Sequence, residues 1–180
     1  QNGVINFFSS PSLTNNGLWT LSGATTTAFG DSYGTITNNG TITKSSAGQT
    51  DFVYVQTMSN SATGTINCNN GNLRVGGAGT TTFNNAGALV FNGGAFTING
   101  GMTFNYNTGS TVSGTGTFNN NSTLNLNASV VFPSTMNVTS TQVINGAGNL
   151  TLNSDFVIQN QINGPGLLTI NANSSWINGN

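Results

Sequence analysis

Single apolar residues recur along this chain inside short polar phrases that begin at Gly or Ser and close on Asn. GTIT at 34–37 returns at 40–43, and the series continues as GTIN, GTTTFNN, GALVFN, GAFTIN, GMTFNYN, GTGTFNNN and STLNLN. Alternation with a period of two sends the apolar member of each phrase to one face and its Thr or Asn neighbours to the other, as in a short strand with one buried side. No window carries a 3.6-residue apolar period and glycine recurs often, so the pattern predicts almost no helix. The inward positions read from it are Ile36, Ile42, Ile66, Phe83, Phe91, Ile98, Phe104, Phe118, Leu152 and Ile170.

The longest repeat shows how the strands are joined. NGAGNLTLN at 145–153 returns as NGPGLLTIN at 163–171, an offset of 18 residues. A glycine pair for a bend, a short apolar and Thr strand, and an Asn at the exit describe one side of a coil that is wound repeatedly. No such turn buries its apolar face until its neighbours stack on it. The fold predicted is therefore all-β, a parallel β-helix over a single domain, 1–180. With turns of roughly 18 to 24 residues it has about eight or nine coils and a length on the order of 40 Å. Residues 1–12 carry Val4, Ile5, Phe7 and Phe8 before Pro11, and are a candidate N-terminal cap or simply the first strand. GTITNNGTIT could be read as a hairpin through its Asn-Gly pair, but the unequal apolar lengths elsewhere favour a corner between sides of a coil. DFVYVQTMS at 51–59 lacks Gly punctuation, and is either a longer strand or a loop leaving the regular winding.

Many inward residues are followed directly by Asn: Asn84, Asn92, Asn99, Asn105, Asn119, Asn153 and Asn171. An amide at the same place on successive turns donates to one neighbour and accepts from the other, so a ladder of Asn satisfies polar corners without charge. These seven are the predicted ladder positions.

Composition narrows the function. Two cationic and three acidic side chains among 180 residues leave a net charge of −1, far below the charged quarter of an ordinary domain. Two cations do not neutralise a row of phosphates, so nucleic acid and anionic lipid are poor partners. No apolar run reaches the ~20 residues of a spanning helix, so membrane insertion is not expected. The single Cys68 rules out an internal disulfide and reads as a small buried or half-buried side chain, with an intermolecular disulfide as the alternative. With no His, and with Thr where the calcium-binding nonapeptide needs Asp in GGAGTTTF, no metal or other cofactor is expected. Asp31 and Asp51 lie one coil period apart and Asp155 is alone, with only Lys44 and Arg74 as bases. That is thin for paired-carboxylate hydrolysis, and no enzyme is predicted. The charges read as isolated surface groups or, at Asp31, a local turn cap. Thr25–Thr27 and Thr80–Thr82 raise a different possibility, an outward Thr and Asn face that docks on ice or a glycan. The Thr spacing between them is irregular along the chain.

The INGxGxLTI phrase, GTITNNGTIT and STLNLN resemble the repetitive passenger regions of large secreted bacterial proteins, the filamentous-haemagglutinin-like and autotransporter-like adhesins. The resemblance runs from about Leu13 onward and implies a right-handed parallel β-helix that serves as an extracellular or cell-surface stalk or fibre. It transfers no functional residue, because the shared phrases are structural. The expected function is thus a non-catalytic structural segment of a surface adhesin or self-assembling fibre. Its expected partners are a continuation of the repeat in a longer chain, or other copies stacked end to end, with a glycan or surface ligand on an outward face. Gln1 without a Met, and a last phrase that stops on an Ile-Asn-Gly corner, fit that expectation.

Overall fold

The computed structural model describes residues 12–23, 34–53, 55–77, 81–164 and 166–176. The candidate cap falls almost wholly outside them, since description begins at Ser12. Every strand pairing among the described residues is parallel, and no helix is present among them. The chain is a parallel β-solenoid with three sides. Side one is an eight-stranded sheet: Ser12–Asn15, Gly34–Asn38, Val55–Asn60, Thr82–Asn85, Thr103–Tyr106, Thr123–Leu126, Ile144–Asn145 and Ile162–Asn163. Side two begins at Leu18–Leu21 and Thr41–Lys44 and ends as a separate small sheet of Val130–Phe132, Leu150–Leu152 and Leu168–Ile170. Side three starts at Gln49–Phe52 and runs through Met136–Ser140 to Ser174–Trp176.

The corners follow from local chemistry. GTITNNGTIT does turn a corner, with its first half on side one and its second on side two. Asn39 N and Gly40 N there both donate to Asn15 O on the turn before, at 2.8 and 2.9 Å. DFVYVQTMS resolves into the end of a side-three strand and the start of a side-one strand, parting after Phe52. Ala88–Ile98 and Thr111–Asn120 are long because each bends from side two into side three without leaving the sheet, with a register shift between Asn92 and Ala95. Gly114 makes that bend possible. Its φ is 101°, where L side chains are strained, and a Cβ there would collide with Phe91 O beneath it.

Eight strands on side one make about seven turns, fewer than the eight or nine expected from the repeat. Hydrogen-bonded positions one turn apart are 23, 22 and 25 residues apart in the early turns, then 21 and 20, and reach 18 only at the end. The 18-residue phrase belongs to the tightest part of the coil. Seven steps of ~4.8 Å give a rod of about 34 Å.

The core runs the length of the axis. Ile36, Ile42, Ile66, Phe83, Phe91, Ile98, Phe104, Phe118 and Leu152 are all buried, as alternation requires. Ile170 is not: it is 43% exposed, because Leu152 covers it from one turn and no described turn lies on its other side. Aromatic rings stack through the middle. Phe83 and Phe104 are 5.1 Å apart, and Phe104 also meets Phe118 at 6.0 Å and the edge of Tyr106 at 6.4 Å.

Truncating Phe104 removes the ring that joins three others and leaves a cavity that rigid strands above and below cannot close. Phe104→Ala is expected to lower unfolding free energy by about 3–5 kcal/mol, measured by urea denaturation followed by circular dichroism. A change under about 1 kcal/mol would mean the ring is not at the centre of a continuous core.

Candidate functional site

Parallel register converts the phrases of side one into two outward columns. The first holds only hydroxyl side chains over six turns: Ser12, Thr35, Thr57, Thr82, Thr103 and Thr123. The second, two residues further along each strand, is Thr14, Thr37, Ser59, Asn84, Asn105, Asn125, Asn145 and Asn163. Strand geometry sets the two columns ~6.7 Å apart and successive turns ~4.8 Å apart. Within the second column Asn105 Nδ2 donates to Asn84 Oδ1 at 2.8 Å and Asn125 Nδ2 to Asn105 Oδ1 at 2.9 Å. In the first, the Ser12 and Thr35 hydroxyls share a 2.8 Å bond. Neither column contains an ionisable group.

The predicted ladder residues divide among several outward stacks. Asn84 and Asn105 lie in the column just given. Asn92 donates to Asn69 at 2.8 Å, and Asn171 to Asn153 at 2.7 Å. Asn99 and Asn119 bond instead to Gly76 O and Thr97 Oγ1, at 3.2 and 3.3 Å. All seven are exposed or half-buried.

A ladder that is buried from Asn38 to Asn85 lies one residue further on, at the exit corner of side one. Asn15 donates to Asn38 at 2.7 Å, Asn38 to Asn60 at 2.8 Å and Asn60 to Asn85 at 2.8 Å. The second amide hydrogens are taken by backbone carbonyls, among them Thr41 O, Thr65 O and Gly87 O. In the FNN phrase the period of two places Phe83 inward, Asn84 outward and Asn85 inward. At Asn85 the doubled Asn was the available signal, whereas Asn60 stands alone between Ser59 and Ser61. The column closes at Tyr106, which pairs with Asn85 in register and whose hydroxyl donates to Ser110 O at 2.9 Å. A second, shorter device joins Asn120 Nδ2 to Ser140 Oγ at 3.0 Å.

The few charges are not all isolated surface groups. Asp51 is buried and bound by Arg74 on the next turn through two bonds, Nε to Oδ1 at 2.8 Å and Nη2 to Oδ2 at 2.7 Å. Register alone puts these two residues together. Lys44 is fully buried at the end of its side-two strand, directly paired with Cys68. Its ammonium donates to Ser46 O and, at 2.7 Å, to Ser46 Oγ. Desolvation holds the Lys44 pKa below its ordinary value, and burial pushes the Cys68 thiol up to about 12, leaving it protonated and unreactive. Asp155 is exposed and accepts from Asn173 N at 3.2 Å. Asp31 lies outside the described residues, as do Thr25–Thr27 and Thr80. Asp51 is thus committed to Arg74, and no group of three metal-ligating His, Cys, Asp or Glu exists among the described residues.

Removing a rung from the buried ladder strands an acceptor on one turn and a donor on the next. Asn60→Ala is expected to cost about 2–4 kcal/mol, against under 1 kcal/mol for Asn105→Ala on the wet column, where water replaces the lost amide. Comparing the two by denaturant unfolding tests whether burial decides a ladder's worth. Tyr106 gives a pH test. Burial raises its pKa from 10.0 to about 12, so above pH 10 the unfolded chain loses this proton before the fold does and stability falls with rising pH. Between pH 10 and 12 the protein should lose about 2–3 kcal/mol relative to its Tyr106→Phe variant. Parallel stability curves for the two would show that the ring is wet.

No protein-family model matches the chain, and no curated protein or solved structure matches it.

Proposed function

We propose that this chain is a structural segment of an extracellular adhesin or self-assembling fibre, and that it acts mechanically and not by catalysis. The observation that supports this most is the continuous parallel stack, in which each turn bonds to the next through its strands, with an internal Asn ladder joining the early turns as well. Such a stack lengthens by repetition. A further turn, from the same chain or from another copy, meets the same backbone donors and acceptors as the turns already present. The half-buried Ile162 and Leu168 in the last described turn are the side chains it would cover. A neutral, amide- and hydroxyl-rich exterior stays wet without attracting polyanions, as an exposed stalk outside a cell requires.

A second reading is a surface-binding module for ice or a glycan. The two outward columns of side one favour it, since residues irregularly spaced in sequence are brought into regular register.

Electron microscopy of the purified chain across a concentration series at neutral pH tests the fibre. Rods that lengthen end to end with constant width are the expected result. Particles of one size at every concentration would count against self-assembly and leave only a stalk within a longer chain.

A further inference from the structure

We propose that side one is an ice-binding face, on which the Thr57–Ser59, Thr82–Asn84 and Thr103–Asn105 pairs order a sheet of water that joins the ice lattice. This rests on the surface-binding reading and commits its ligand to crystalline water.

A face that holds a water lattice needs three properties together: an extended plane, hydrogen-bonding groups at a constant two-dimensional spacing, and no ion to impose its own hydration shell. The three sides differ in these respects. Side one is an uninterrupted sheet of eight strands whose one register shift lies near its edge, at Gly34 and Thr35. Side two carries Leu18, 72% exposed, and the outward Val131. Side three carries the Asp51–Arg74 ion pair, and Asp155 lies beside its strands. Only side one combines a column of hydroxyls with a complete absence of charge.

The chemistry of the columns points the same way. The hydroxyls of Thr57, Thr82, Thr103 and Thr123 have no hydrogen-bond partner among the described residues, which leaves donor and acceptor positions for water. The Asn column behaves differently: Asn84, Asn105 and Asn125 bond to one another along the axis, which holds the neighbouring rows at fixed spacing. A glycan face would be lined with rings and a few directed polar groups. Every described aromatic residue of side one, Phe83, Phe104 and Tyr106, is buried inside. What remains outside is a net of small polar groups in constant register.

The test uses the whole chain in a nanolitre osmometer. Faceted ice crystals and a gap between freezing and melting points are expected for the wild type. Both should be lost in Thr103→Lys and in Thr82→Lys, at the centre of the face, and retained in Thr139→Lys on the outward column of side three. Circular dichroism melts confirm that each variant is folded. Rounded, unshaped crystals with the wild-type chain would overturn the proposal, and so would equal loss from the side-three variant. Cosedimentation with crystalline chitin or cellulose separates the two levels of the argument. Binding to the polymer that Thr103→Lys abolishes, without any effect on ice, would overturn the ice assignment and leave a surface-binding module. Binding to neither would overturn both.

Discussion

Parallel stacking in constant register is the constraint from which the rest of this molecule follows. Once each turn hydrogen-bonds to the next with strands running the same way, a residue sits ~4.8 Å above its counterpart one turn earlier. Repetition of the phrase then places like upon like. Phe on Phe gains an offset ring stack, and Asn on Asn gains a hydrogen bond because the amide is its own complement. Two like charges at that separation repel by about 3–4 kcal/mol at an effective dielectric of 20. Five charged residues in 180 is the compositional result. The exception obeys the same geometry: Asp51 and Arg74 are stacked neighbours of opposite sign.

The interior changes character along the rod. In the early turns, 22 to 25 residues long, the exit corner of side one is filled by Asn15, Asn38, Asn60 and Asn85. From Tyr106 onward the same column is aromatic and then aliphatic, with Leu126 next in register. The turns shorten over this range. Amides bonding up and down the column satisfy a polar corner and permit a wide turn, whereas Tyr106 ends the series by sending its hydroxyl to Ser110. Lys44 is the clearest departure from the pattern. It fills a column position occupied by Leu21 and Cys68 on adjacent turns and meets only neutral acceptors, so its charge is disfavoured by burial.

Exterior and interior thus obey one rule with different outcomes. Inside, stacking of identical groups gives cohesion; outside, it gives a surface of constant spacing. Side one shows the second outcome most fully, since its hydroxyls repeat over six turns. Stiffness along the axis and regular spacing on the exterior come from the same backbone bonds.

Alternation by itself determined the strands, the absence of helix and most of the core, because facing is a local property: Ile36, Phe83 and Phe118 are inward simply by the parity of their neighbours. The Gly and Asn corners likewise announced that the chain winds. The turn length and the identity of what stacks on what were decided only by tertiary structure. Asn84 and Asn85 are adjacent in the chain, yet one joins a wet column and the other the buried ladder, and Ile170 follows the pattern but lacks a covering turn. The hydroxyl column was illegible for the same reason. Its members are separated by corners of unequal length, and inter-turn hydrogen bonding, a non-local interaction, absorbs those differences and returns the strands to register.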